Sequence, residues 1–480
     1  MSFESSGERR AFWLLPALLG LLILNNYFWL QIDTTPPTLD EADHLSNAIS
    51  LYKHWWLGVP KASLPFYELL PYPPLTALVT HMIFPWAGFH PHMAHPHMAI
   101  LFVQSMFSLI LILSVYELAR FFCRDPEAPL LAGLLVFLYP VTAMAARHYL
   151  LDLPLTAWTA LGMLWLIRLP RNDSLKDSAL LGLTWGLGML TKWSLIFYLA
   201  APTLIILFRM RRTVGVSRTA THLGLILGIA LAIALPGFLL FVPGVLFFLR
   251  KGIDRERGLL LIWILASLVF LTALRYKLAR YALPYLPAVA LITVTGLYEM
   301  PGRRLRNVFL MAVMALLVVQ YYALGFTAFR RPRLYSVGLF QPEQIEFFPT
   351  HPRQQDWKLE EMLAEITAGF QRAPAQKKVV LVLGCNHPIY NGNTFTYLSN
   401  ARNLGVRFIG AEYAPDAVQA ATDATTSYIL LVEAALSFFD GNRARALEAV
   451  ERVRTQPSQF KRLISFDVPD GERITLYGKP

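Results

Sequence analysis

The stretch "AFWLLPALLGLLILNNYFWLQIDTTPPTLDEADH", Ala11–His44, decides how the chain is read. From Ala11 to Ile32 it holds no charged residue, and a helix of that length crosses a bilayer core. The run is too long for a signal-peptide core and no small-residue cleavage site follows, so it reads as an uncleaved signal anchor. Pro36 and Pro37 come next, and then Asp40, Glu41 and Asp43 stand beside His44. Asp40 alone could serve as N-cap for a helix over 41–56. Three acids within one turn exceed what a cap needs. At the mouth of a membrane bundle they point to a proton, a metal or a substrate hydroxyl.

Composition carries the same message. The chain has 480 residues, of which 55% are hydrophobic and only 16% charged. Its apolar residues come in long runs: 11–32, 97–119, 128–146, 153–169, 178–191, 193–208, 222–249, 258–274, 281–298 and 307–329. That pattern is a polytopic α-helical membrane protein. The net charge of +11 fits basic cytoplasmic loops, and no basic stripe with interleaved aromatics suggests nucleic acid. Cys123 and Cys385 are the only cysteines, too few for a disulfide framework or a cysteine metal site.

The run 222–249 fixes the topology. Pro236-Gly237 and Pro243-Gly244 interrupt it, which allows a hairpin of two segments in place of one long helix. Arg9, Arg10, Arg120, Arg124, Arg168, Arg171, Lys176, Arg209, Arg211, Arg212 and Arg218 all fall inside the cell. The hairpin adds Arg250, Lys251, Arg255, Arg257, Arg303, Arg304 and Arg306 to that side and leaves Arg275, Lys277 and Arg280 outside; a single helix reverses this score. The hairpin is therefore chosen. It implies about eleven spans, a cytoplasmic N-terminus and a C-terminal domain outside. Residues 1–329 form the membrane domain. Its outer loop, 33–96, includes the proline-rich "LPFYELLPYPPLTALVTHMIFPWAGF", read as interfacial or re-entrant helices. From 330 to 480 the composition changes. "KKVVLVLGCN" and "TSYILLVEA" read as buried strands, and "QQDWKLEEMLAEITAGF" and "GNRARALEAVERVR" as amphipathic helices, which gives a soluble mixed α/β domain.

Several charged residues share the outer face with Asp40. In "RHYLLDLPLTAW", Arg147, His148 and Asp152 stand at the start of a span, where a carboxylate also suits the helix dipole. Interfacial anchoring and capping are the plain alternative. In "GLTWGLGMLTKWSL", Gly182, Gly186 and Gly188 allow close helix packing, and Lys192 sits at the outer end of a short hairpin, as an anion contact or a snorkelling side chain. "LRYKLARYALPYLP" sets Arg275, Lys277 and Arg280 on the side where cations are disfavoured, and a phosphate held at the membrane surface accounts for them. A general base beside an anion-binding cluster at headgroup depth suits group transfer from a lipid-linked phosphate.

The order "LDEADH", "YPPL", "LLDLPLTAW", "GLGMLTK", "YKLARYALPYLP" resembles the polyprenyl-phosphate-sugar-dependent glycosyltransferases of the GT-C fold, in particular the protein O-mannosyltransferases and lipid A aminoarabinose transferases. The likeness covers roughly residues 10–300 as short motifs in sequence. It implies that Asp40-Glu41 holds the catalytic aspartate, that Asp152 matches the family's second acid, and that Lys192 matches its lysine. It also implies transfer with inversion. Two departures stand out. The aminoarabinose transferases carry a Glu-Lys pair near "YPPL", and Tyr72-Pro73-Pro74-Leu75 has neither. The luminal β-trefoil insertion of the protein mannosyltransferases has no counterpart, so a protein acceptor is less favoured than a lipid or a glycan.

The expected enzyme is thus an integral membrane glycosyltransferase with a polyprenyl-phosphate-sugar donor and a lipid, glycan or protein acceptor, in an inner membrane with a periplasmic active face. Asp40 is its base, and Glu41 and Asp152 orient the acceptor, a metal or the cations. Lys192, Arg147, Arg275, Lys277 and Arg280 hold the donor phosphate. Asp43, His44 and Tyr72 are acceptor contacts or plain loop residues, the first two turned partly away from Asp40. No cofactor is demanded. A divalent metal ion is the candidate, at the Asp40 cluster or at the tract His90, His92, His95 and His97, although the irregular spacing and intervening prolines of that tract favour an interfacial loop. Gly384, Asn386, Asn391 and Asn393 follow a strand, where either a ligand crevice or a polar strand-to-helix loop fits. A transporter or flippase for a lipid-linked or anionic solute is the rival class. Against it, the charges crowd one face and no two-half symmetry is visible.

Overall fold

The computed structural model describes residues 6–59, 73–85, 97–123, 125–234, 355–372, 378–383, 387, 389–411, 416–423, 425–432, 443–469 and 473–479, with isolated positions between 263 and 318. The chain divides into two units. One comprises residues 1–29, 71–79 and 100–346; the other comprises 30–70, 80–99 and 347–480. Tyr72, Arg275, Lys277 and Arg280, the histidines 90, 92 and 95, Gly384, Asn386 and the second half of the 222–249 run lie outside the described residues.

The described chain is mostly helical. It runs α1 (Ser6–Ile32), α2 (Leu39–Leu57), α3 (Leu75–Ile83), α4 (His97–Phe122), α5 (Ala128–Leu138), α6 (Pro140–Ala145), α7 (Asp152–Asn172), α8 (Leu175–Thr191), α9 (Leu195–Thr213) and α10 (Val216–Ala234). Among the described residues, two helical stretches, Leu14–Ile32 and Met98–Phe122, are long and apolar enough to cross a membrane. On α4 the side chains of Val103, Phe107, Leu111 and Val115 form one fully buried stripe at four-residue spacing. The other face leaves Phe102, Leu109 and Leu113 exposed. On α1, Leu14, Leu21, Leu24 and Phe28 are likewise exposed. Apolar faces of this extent need lipid, not water, over them.

The 128–146 run, read as one span, is two helices. Pro140 has no N–H to donate and forces Tyr139 out of helical geometry (φ −58°, ψ 129°), so α5 stops and α6 restarts with Pro140 at its first position. α7 and α8 form an antiparallel hairpin. Asp173 closes α7 in left-handed geometry (φ 44°), and the Ser174 hydroxyl caps α8 by accepting from Asp177 N at 3.4 Å. Gly182 brings α8 against α10: a Cβ there would lie 2.7 Å from the Ile226 carbonyl oxygen. This is the close packing expected of the glycine-rich span.

The second unit is built on α11 (Leu359–Arg372), β1 (Val379–Leu383), α12 (Gly392–Ala401), β2 (Arg407–Gly410), α13 (Ala417–Thr422), β3 (Tyr428–Val432), α14 (Arg443–Thr455), β4 (Lys461–Asp467) and β5 (Arg473–Gly478). The sheet order is β2-β1-β3-β5-β4. β1 pairs in parallel with β2 and β3, while β5 runs antiparallel to both β3 and β4. The runs read as buried strands are β1 and β3. Leu381, Leu383, Ile429 and Leu431 face Ala417 and Ala421 of α13 and Val450 and Val453 of α14. Val380 and Val382, on the opposite face, are also fully buried, as a parallel sheet covered on both sides requires.

α2 belongs to this unit. Its cap is Thr38 rather than Asp40: Thr38 is extended (φ −109°, ψ 145°) and its carbonyl accepts from Glu41 N at 2.8 Å. The turn preference of Pro36-Pro37 moves the helix start two residues earlier than the sequence reading had it, and Asp40 falls in the first turn. Leu39 enters the helix at φ 37°, a region that costs a branched L residue energy. Gly58 ends α2 in left-handed geometry (φ 68°), its N–H donating to the Lys53 carbonyl.

Candidate functional site

The acids of α2 are held in a largely buried setting. Asp40 and Asp43 are half-buried, while Glu41 and His44 are buried. Asp40 and Asp43, three residues apart on the helix, are neighbours on one face. Burial, and secondly the Asp40 charge, push the Asp43 carboxyl up to about 7. Asp43 therefore stands beside Asp40, closer than the sequence reading had placed it. Around neutral pH Asp43 can still carry its proton. Asp40 stands in the first turn of α2. Glu41 lies near Tyr397 of α12. Burial, with the Glu41 charge as the lesser cause, raises that phenol far above its ordinary value.

α12 carries much of α2's polar surface. The Asn393 side chain donates to the Leu39 carbonyl at 3.4 Å, and the Thr394 hydroxyl to the Pro37 carbonyl at 3.1 Å. Asn400 donates to the Ser46 carbonyl at 3.1 Å and to the Ser50 hydroxyl at 2.9 Å. Lys53 donates in return to Asn400 Oδ1 at 3.0 Å and to the Asn400 carbonyl. Burial lowers the Lys53 ammonium to about 8. Of the residues after β1, Asn391 is the α12 N-cap, accepting from Thr394 N at 3.0 Å. His387 Nδ1 accepts from the N–H groups of Ile389 and Tyr390, and burial lowers the ring to about 4. The described part of this loop is thus occupied by its own turn.

The other unit holds the second group. Lys192, the C-cap of α8, donates to Asp152 Oδ1 at 2.9 Å. Asp152 opens α7, as expected, and its side chain is almost fully buried. Trp158 donates to the Thr191 hydroxyl at 2.9 Å and braces the two helix ends. The loop before α7 is pinned. Gln104 of α4 donates to the carbonyls of His148 (2.8 Å) and Leu150 (3.1 Å), and the Tyr149 hydroxyl donates to the Thr76 carbonyl at 3.2 Å. Arg147 is buried; its Nε donates to Asn26 Oδ1 at 3.1 Å, and its guanidinium lies over the Trp29 ring. Asn26 and Gln104 had signals that the motif reading passed over: Asn26, beside Asn25, and the lone amide Gln104 are polar positions inside apolar runs.

A Ser–His–Asp chain also occurs in this unit. The Ser178 hydroxyl meets His222 Nδ1 at 2.6 Å, and His222 Nε2 meets Asp173 Oδ1 at 2.7 Å. Ser178 and His222 are both completely buried, so this chain ties α10 to the α7–α8 turn and presents no nucleophile. Among the described residues, no group of three or more His, Cys, Asp or Glu is arranged to hold a metal ion.

The fold is that of the GT-C membrane glycosyltransferases. Residues 89–239 match the family model of the dolichyl-phosphate-mannose-protein mannosyltransferases. Among solved structures, ArnT from Cupriavidus metallidurans in the apo state aligns over 98% of this chain and 98% of its own, at 14% identity and a TM-score of 0.55. The same protein bound to undecaprenyl phosphate aligns over 96% and 97%, at 14% identity and a TM-score of 0.54. The Archaeoglobus fulgidus oligosaccharyltransferase tethered to an acceptor peptide aligns over 98% of this chain and 74% of its own, at 10% identity and a TM-score of 0.50. No curated protein matches the chain by sequence. The family match covers the stretch that holds "LLDLPLTAW" and "GLGMLTK", and the solved structures share the fold.

Proposed function

We propose that the chain transfers one sugar from a polyprenyl-phosphate donor to an acceptor hydroxyl at the extracytoplasmic face of the membrane, with inversion at the anomeric carbon. Asp40 takes the proton of the acceptor hydroxyl as that oxygen forms its bond to the anomeric carbon. The bond from that carbon to the phosphate oxygen breaks, and polyprenyl phosphate leaves with the electron pair. Lys192, with Arg147, Arg275, Lys277 and Arg280, offsets the charge that grows on the phosphate. Glu41 and Asp152 act on orientation, Asp152 by fixing Lys192. The matching topology is about eleven spans with a cytoplasmic N-terminus and residues 330–480 in the periplasm.

One observation carries this reading: a half-buried carboxylate, Asp40, in the first turn of a helix, with a second carboxyl beside it that holds its proton up to about 7. The undecaprenyl phosphate named for the aligned ArnT structure supports the donor class. The test is Asp40→Asn in membranes supplied with a labelled lipid-linked sugar. Transfer is expected to fall by about 100-fold or more at normal expression. Transfer at the wild-type rate would overturn the base assignment.

A further inference from the structure

Asn393, Tyr397 and Asn400 follow one another at four and three residues along α12, so they lie on one face. All three meet α2. Asn393 contacts the Leu39 carbonyl, Tyr397 lies near Glu41, and Asn400 contacts Ser46, Ser50 and Lys53. The two helices therefore run in the same direction along a polar seam that spans most of α2. An apolar seam would bury area without choosing an axial position. In this one the amides of Asn393 and Asn400 and the Lys53 ammonium meet their partners at the observed register. A slide of one turn, about 5.4 Å, would leave buried amides and the Lys53 ammonium unmatched. The seam also clamps the strained entry to α2: the carbonyls on either side of Thr38, those of Pro37 and Leu39, both accept from α12, and Leu39 is the residue at φ 37°.

We propose that Tyr397 and Asn400 are positioning residues for sugar transfer, setting the seat of Glu41 and the register of α2 and through them the aim of Asp40. The proposal rests on the reading of Asp40 as the base. It makes the C-terminal α/β unit part of the catalytic apparatus rather than a platform for the acceptor alone. Tyr397→Phe removes a single hydroxyl from a buried ring. Asn400→Leu keeps the side chain's volume and removes its bonds to Ser46, Ser50 and Lys53.

The test compares these two variants with wild type and with Asp40→Asn in detergent, reading kcat, donor KM and hydrogen exchange of the 39–57 amides. Both variants are expected to lower kcat about 10-fold or more, with donor KM within about twofold. Exchange is expected to quicken in the first turns of α2 while β1 and β3 stay protected. Tyr397→Phe keeps the test alive if Asn400→Leu fails to fold. If Asp40→Asn is inactive while both seam variants turn over at the wild-type kcat, the positioning role is wrong and the base reading survives. If Asp40→Asn itself transfers at the wild-type rate, the base reading fails and the positioning role falls with it.

Discussion

The Lys192 ammonium stands 2.9 Å from Oδ1 of Asp152, forty residues earlier, at the open end of the α7–α8 hairpin. Each charge also suits the helix end it occupies, the carboxylate at the start of α7 and the cation at the close of α8. The pair works as a unit: the acid holds the lysine in place at the helix ends.

Breaking that unit has a direction. Lys192→Met takes the cation from beside a carboxylate whose side chain is 4% exposed, and should remove on the order of 3 kcal/mol of stability. The double variant Asp152→Asn with Lys192→Met should regain most of it, because the buried charge goes with its cation. Transfer should stay low in both, since neither retains the cation. Thermal unfolding in detergent, read beside the transfer assay, checks this. A double variant no more stable than the single would show that the two side chains do not act as a pair.

The raised Asp43 carboxyl predicts a pH effect. Its folded value of about 7 lies above the ordinary 3.8. A raised carboxyl contributes stability that is complete below the unfolded value and is lost as pH rises through the folded one. Stability should therefore fall between about pH 4 and pH 7, by an amount on the order of 2–4 kcal/mol, and level off above that, with the unfolding temperature following it. Asp43→Asn should flatten that fall. An unchanged slope in Asp43→Asn would assign the effect to another group.

The parts legible from sequence are those governed by short-range pattern. α1 and α4 follow from unbroken apolar runs, β1 and β3 from short apolar runs beside turn residues, and the start of α7 at Asp152 from its carboxylate. The split at Tyr139 was written in Pro140, but the length of the run outweighed it. The burial of α2 was not legible. Its sequence is polar, and it reads as a solvated outer helix until α12 supplies its partners. Asn400 and Ser46 are 354 residues apart, and no periodicity reports on such a pair. Asp152 reads as orienting the acceptor, a metal or the cations, but Lys192 is not singled out as its partner, because spacing along the chain does not say which helix ends meet.

Gly392 tests how firmly α12 is seated. A Cβ at this position would lie 2.5 Å from the Gly410 nitrogen and 2.8 Å from its Cα. These are backbone atoms of β2 and cannot turn aside, so Gly392→Ala must push the start of α12 off the sheet. The expected loss is about 1–3 kcal/mol. Because Asn393 and Thr394 follow at once, transfer should drop further than in a surface variant of equal stability. Unfolding midpoints and kcat measured together check this; a stable Gly392→Ala protein with full kcat would contradict it.

Arg147 was expected on the donor phosphate, yet its Nε is committed to Asn26 and its guanidinium plane to Trp29. Lysine has neither that nitrogen nor that plane, so Arg147→Lys is not conservative here. It should cost about 1–2 kcal/mol of stability. Asn26→Ala should act in the same direction, and the double variant should show coupling on the order of 1 kcal/mol. Kinetics then separate structure from phosphate binding. If the guanidinium also meets the donor, Arg147→Lys raises donor KM several-fold, while Asn26→Ala, which leaves the guanidinium in place, raises it less. If Arg147 only ties the pre-α7 loop to α1, the two variants change donor KM by the same small factor. The measurement is donor titration at saturating acceptor in detergent-solubilised protein.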